Sequence, residues 1–199
     1  PIMLLSLLLG ACSDMEKPSI SLYLASQRGD IEQIERHIDW GSDINELDKD
    51  GNAPLHVTAQ KGRIAIARML LRNGADINLE NTSGHTPLYY AILSGRTRLA
   101  DLLLKEGASI DASKLLLQAA HQNIPDRDAV IYLAAHDADL EARDEQGDTA
   151  LLIAIRNGNH RLARHLVAEG ADVNVTDAEG KMAIQIAKQA GLRDIAKLL

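Results

Sequence analysis

Seven histidines and one cysteine are the side chains of this 199-residue sequence that most invite chemistry. Zinc hydrolysis needs imidazoles at ligand spacing beside a general base, and no H-E-x-x-H is present. There is no nucleophile elbow and no glycine loop of the kind that cradles phosphate. His160 and His165 are five apart on a helical stretch, so they do not share a face well. His121 and His136 bracket a proline-containing stretch where a two-histidine metal site could form, a reading the spacing does not favour. A single cysteine excludes an internal disulfide and any multi-cysteine zinc or iron–sulfur centre. The expectation is a protein that is not an enzyme and takes no metal or cofactor.

Cys12 has a different chemistry, set by what precedes it. Ile2 to Gly10 reads IMLLSLLLG and carries no charge. Such a run is too short to span a bilayer, which takes roughly 20 residues, but it matches the apolar core of a secretory signal. Leu9-Gly10-Ala11-Cys12 resembles the lipobox of bacterial lipoproteins: an aliphatic residue, two small residues, then a cysteine. Small residues let a peptidase draw the backbone through a narrow site, and the thiol is the nucleophile that takes the diacylglyceryl group. The resemblance implies a signal peptide at 1–11, cleavage after Ala11, and a lipidated cysteine with a short tether at 12–18. The run starts at Pro1 without a basic segment and is read as N-terminally truncated. Ser13 stands where family usage puts Asp in proteins kept at the inner membrane, which leans towards the outer membrane. The implied location is the bacterial cell envelope, facing the periplasm, with the lipid as the only membrane contact. An acylated Cys12 leaves no free thiol, which suits an oxidising compartment.

Beyond residue 18 the elements follow a ruler. Gly51, Gly62 and Gly74 are each followed 33 residues later by Gly84, Gly95 and Gly107. Gly147, Gly158 and Gly170 repeat the same gaps, Gly180 and Gly191 begin another copy, and Gly29 and Gly41 supply the 12-residue gap upstream. Within one copy, Thr86 can cap a helix whose first position is Pro87, where a missing N–H costs nothing. Leu88 and Ala91 share a face, and Gly95 ends the helix. Leu99, Leu102 and Leu103 mark a second helix that Gly107 ends, after which Ala108 to Asp111 runs extended. Repeats of this length build stacked solenoids.

These motifs resemble the ankyrin repeat. Asp48-Lys49-Asp50-Gly51-Asn52-Ala53-Pro54-Leu55-His56 matches D-x-x-G-x-T-P-L-H with Ala53 for Thr. Gly74-Ala75-Asp76-Ile77-Asn78 and Gly170-Ala171-Asp172-Val173-Asn174 match the closing G-A-D-[VI]-N. The resemblance implies an all-α solenoid of stacked helix–turn–helix units with short β-hairpin-like arms, over residues 19–199. It implies about six units: a cap lacking the hairpin strand at 19–47, a degenerate fourth unit at 113–142, and a last unit truncated at Leu199. His56 takes the family's structural histidine position, whose imidazole bonds within its own turn. In the fourth unit Ala112-Ser113-Lys114-Leu115 enters a helix with no D-x-x-G turn, so the hairpin finger is largely missing. Either the repeat drifted while its helices kept stacking, or the gap is shaped for a partner.

Apolar residues make up 46% of the chain but aromatics only 3%, so the core must close through Ala, Leu, Ile and Val. A net charge of −7 argues against phosphate-backbone binding and so against a nucleic-acid partner. The resemblance implies a protein partner along the hairpin tips and the exposed side of the first helices, met by a monomer. The matching tips are Lys49, Asp50, Asn52, Ser83, His85, Glu145, Gln146, Asp148 and Glu179. The matching first-helix positions are Gln60, Lys61, Leu93, Arg156 and Asn157. Asp50, Glu145, Asp148 and Glu179 are expected to stand unburied at the tips and to steer a basic partner. Two functions fit: an envelope-anchored protein-interaction module, or an immunity-like or inhibitory lipoprotein that occludes a toxin or an envelope enzyme.

Overall fold

Helix caps, glycine turns and a lattice of small apolar side chains account for the architecture. The computed structural model describes residues 16–124 and 127–199, so the lipobox and Cys12 lie outside the described residues, as do two residues of the fourth unit's loop. Among the described residues twelve helices form six consecutive pairs: α1 (Leu22–Arg28) with α2 (Ile31–Trp40), α3 (Pro54–Lys61) with α4 (Ile64–Arg72), and α5 (Pro87–Leu93) with α6 (Thr97–Lys105). The series continues with α7 (Ala112–His121) and α8 (Arg127–Ala135), α9 (Ala150–Arg156) and α10 (His160–Ala168), and α11 (Ala183–Gln189) and α12 (Arg193–Leu198). Among the described residues the arms hold no strand, only isolated antiparallel bridges Arg143–Thr149 and Thr176–Met182.

The first helices start on short-range caps. Thr86 and Thr149 accept the backbone N–H of Tyr89 and Leu152. Where Ala53 cannot do this, the His56 ring accepts the Ala53 N–H instead, at 3.1 Å. Left-handed turns end the helices, as at Gly62 with φ 71°. In the fourth unit Asn123 (φ 57°) and Asp137 (φ 61°) take that conformation, so the ruler continues without its glycines. The core is aliphatic: Leu70, Leu88, Ile92, Leu103, Leu133 and Leu152 are fully enclosed, and Ala59, Ala91, Ala120 and Ala154 are wholly buried among them. Small residues there let neighbouring units pack without rings.

The start of the stack is closed by side chains in place of a hairpin. Gln33 accepts from the backbone and hydroxyl of Ser19, and the His37 ring bridges the Ile20 carbonyl (2.7 Å) and the Ser42 hydroxyl (2.9 Å). Farther along, a ladder of side-chain bonds ties each arm to the next. Asn45 accepts from the Asp76 N–H, Asn78 from Ser109, Ser113 from Asp139 and Glu141 from Asp172.

That ladder runs through the fourth unit, but the stacking of first helices does not. α1 packs on α3, α3 on α5, α7 on α9 and α9 on α11, whereas the third and fourth units meet mainly through α8, against α5 and α6. In a solenoid each unit is held only by its neighbours. Amides of α7 and α8 are therefore expected to exchange about 10- to 100-fold faster than those of α5 and α9. Native-state hydrogen exchange measures this, and uniform protection from residue 85 to 175 would contradict it.

Candidate interaction surface

Four tight turns carry the exposed tips, and one local device builds each. The side chain of the leading Asp or Asn accepts backbone N–H groups two and four residues ahead. Asp48 takes those of Asp50 and Asn52, and Asn81 those of Ser83 and His85. Asp144 takes those of Gln146 and Asp148, and Asp177 those of Glu179 and Lys181.

The turns pair off. Asn81 donates to the Asn52 side chain at 2.7 Å and the Thr82 hydroxyl to the Asp50 carbonyl at 3.3 Å. A Cβ on Gly51 would collide with the Thr82 side chain. The second pair is joined by Arg143, which donates to the Thr176 carbonyl at 2.9 Å, and by Arg156. The Arg156 guanidinium reaches Asp148 through Nε at 2.7 Å and Asp177 through Nη2 at 3.0 Å.

Lys49, Asp50, Gln60, Lys61, Ser83, Glu145, Gln146, Asn157 and Glu179 are exposed, as their sequence positions suggest. Asn52 is half-buried beneath its bond from Asn81, and the Asn157 amide donates to the Ala120 carbonyl. Two expectations need correction. Asp148 is only 7% exposed, because Arg156 draws its carboxylate inward. Leu93 is buried, because it closes α5 on the helix's core side. Asp177, the partner Arg156 shares with Asp148, was missed by sequence reasoning; its role at the head of an Asp-x-x-Gly turn was the available signal.

The histidines are structural where their partners are defined. His56 is 1% exposed. With Nδ1 accepting from Ala53, its Nε2–H donates to the His85 carbonyl at 3.0 Å, locking one unit to the next turn. Burial holds the His56 imidazole below its usual pKa. His121 pairs with Asp144 at 2.9 Å, whereas His136 bonds the Tyr132 carbonyl and stacks on its ring. Among the described residues no group of three or more His, Cys, Asp or Glu side chains could hold a metal ion. Nor is any helix there long and apolar enough to cross a membrane.

Two concavities open on this surface. The larger, about 550 Å³, lies at the N-terminal end between α1 and the first turn, with Tyr23, Leu47, Asp48 and Asp50 in its wall. Burial and the adjoining Asp48 and Asp50 push the Tyr23 phenol up, so it remains a neutral donor. The smaller, about 210 Å³, lies between the second turn and α7, lined by His85, Tyr89, Lys114 and Leu115 among others.

Comparison with known proteins agrees with this geometry. The family model described as ankyrin repeats (3 copies) matches residues 22–114 and 116–199. No curated protein matches the chain. Among solved structures, the chain is similar to one in the complex of the Bd0816 predatory endopeptidase from Bdellovibrio bacteriovorus with the immunity protein Bd3460. That likeness is 27% identical over 91% of this chain and 97% of the other, with a TM-score of 0.69. A crystal structure of EF0377, an ankyrin repeat protein, is 29% identical over 88% of this chain and 94% of that one, with a TM-score of 0.66.

Proposed function

The chain belongs to the ankyrin-repeat family; from that membership, together with the lipobox-like segment at Cys12, we propose that it is a lipid-anchored bacterial envelope protein whose turns and first helices grip another protein. The observation that carries the binding role is the row of exposed tips on rigid, internally bonded turns, with Lys49, Asp50, Glu145 and Glu179 free to meet a partner. Rigid tips lose little entropy on binding, which favours affinity. The likeness to a chain in a complex of an endopeptidase and an immunity protein favours a second, narrower reading, an immunity-like protein that occludes an envelope hydrolase.

The anchor rests on Leu9-Gly10-Ala11-Cys12. Protein expressed with an intact signal is expected to incorporate labelled palmitate and to sediment with membranes, and Cys12→Ser to lose both. Label retained by Cys12→Ser would remove the anchor from this reading. For the binding role, the protein is cross-linked in intact cells and recovered from detergent-solubilised envelopes. The expected result is a stoichiometric partner, and the narrower reading further requires that adding the purified chain inhibit that partner's hydrolytic activity.

A further inference from the structure

The first turn has a neighbouring turn on one side only. Asn81 and Thr82 of the second turn bond to Asn52 and Asp50, and the bare face of Gly51 meets Thr82. On the other side, among the described residues, α1 is entered through 16–21 with no such turn before it. The cavity of about 550 Å³ opens there, between α1 and residues 46–50.

Its wall combines apolar surface with an excess of one charge. Leu47 is 43% exposed, and the partly exposed Tyr23 lines the cavity with it. Of the charged residues in the wall, Glu46, Asp48 and Asp50 are acidic and Lys49 alone is basic. The charged groups that act on the Tyr23 phenol are Asp48 and Asp50, both negative. The Asp48 carboxylate is fixed, because it accepts from the Asp50 and Asn52 amides and from the Tyr23 hydroxyl. Glu46 and Asp50 are exposed and enter no ion pair among the described residues, so their carboxylates remain available.

We propose that this cavity receives an arginine carried on an exposed loop of a protein partner. The guanidinium meets the Glu46 and Asp50 carboxylates and the Tyr23 ring, and its aliphatic stem lies along Leu47. A guanidinium suits the site because it is flat and delocalised, stacks on aromatic rings and is more weakly hydrated than an ammonium. A metal ion does not suit it, since no group of three or more His, Cys, Asp or Glu side chains among the described residues could hold one. A second copy of this chain is a poor donor, because two copies at −7 repel. The inference rests on the protein-binding reading above and adds to it the place and the chemistry of one contact.

The probe is blocked tetraarginine, titrated into the full chain and followed by NMR, with tetralysine and tetraglutamate as controls. Tetraarginine is expected to give saturable shifts at Tyr23, Leu47 and Asp50, tetralysine to bind about threefold more weakly, and tetraglutamate to give none. Glu46→Gln combined with Asp50→Asn should weaken tetraarginine about fivefold at low salt and less at high salt. That double variant keeps the turn, whose bonds run through the Asp48 side chain and the Asp50 backbone. Tyr23→Leu should weaken binding about threefold, and Tyr23→Phe, which keeps the ring, hardly at all. Glu169→Gln removes an equal charge from an exposed position in the fifth unit and should leave binding unchanged. No saturable shift at Tyr23 and Leu47 up to about 5 mM peptide, or equal affinity for wild type, the double variant and Tyr23→Leu, would overturn the proposal. So would a concentration-dependent dimer that the double variant dissociates, since it would assign the cavity to a second copy. A partner recovered from envelopes that binds the double variant and Tyr23→Leu as well as wild type would leave the protein-binding function standing and remove this cavity from it.

Discussion

Asp148→Lys is expected to loosen the last two units of the solenoid under conditions where Glu145→Lys, three residues away on the same turn, has almost no effect. Asp148 is buried and holds the Arg156 Nε at 2.7 Å, while the same guanidinium reaches Asp177 at 3.0 Å. A lysine there would place two cations against one remaining carboxylate. Removing one partner of a buried pair typically costs about 3–5 kcal/mol, but the Arg156 side chain is 43% exposed and water shields part of the loss. About 2–4 kcal/mol is expected for Asp148→Lys, against less than about 0.5 for Glu145→Lys at its exposed tip. Because units contact only neighbours, the loss should concentrate in α11 and α12. Urea titration gives the magnitude and hydrogen exchange the place. A variant as stable as wild type would mean that the Asp148 carboxylate is solvated and that the turns at 144–148 and 177–181 are not stitched through Arg156.

The same network has an acid limit. Burial opposes ionisation of Asp177, but the backbone N–H of Lys181 and the Arg156 guanidinium outweigh it and hold this carboxyl below its ordinary value of 3.8. A folded-state value below the unfolded one means that the unfolded chain binds the proton more readily. The stabilisation is complete above the unfolded value and is lost as pH falls through the folded one.

His56→Ala is the second large effect, about 3–5 kcal/mol of destabilisation. The substitution empties a buried site and strips the Ala53 N–H and the His85 carbonyl of their partner together. His56→Gln should cost less, about 1–2 kcal/mol, because a glutamine can still cap the helix. Gln185 does so in the last unit, accepting the Met182 N–H at 3.0 Å. What Gln loses is the reach to His85. The pH dependence separates the roles further. Burial holds His56 below its ordinary value of 6.5, so its contribution is whole above that value and declines as pH falls towards the folded value. Unfolding midpoints measured from pH 8 to pH 5 should fall for wild type and fall less steeply for His56→Gln. Some slope will remain, because burial and Lys114 lower His85 in the same sense. Equal slopes would show that His56 is not the buried neutral group.

The backbone of this protein is legible in its sequence because caps, turns and helix faces are set by residues within a few positions of each other. Thr86 with Pro87, the left-handed glycines and the Leu and Ala spacing each act inside one unit, and repetition every 33 residues multiplies the signal. The absent finger at Ala112 was legible for the same reason, as a missing D-x-x-G. The burial of polar side chains was not, because it depends on the next unit. Asn52 and Asp148 occupy matching places after a turn glycine, yet Asn52 is half-buried and Asp148 is enclosed, since an arginine eight residues on and Asp177 in the following turn converge only in the second case. Tyr89 shows the converse. It reads as a plain substitution for the structural histidine, and only the stacked units reveal that its hydroxyl is buried without a hydrogen-bond partner. Spacing along the chain decides the helices and turns; which donors and charges are left for a partner is decided by contacts some thirty residues apart, where packing and desolvation, not local propensity, select the neighbour.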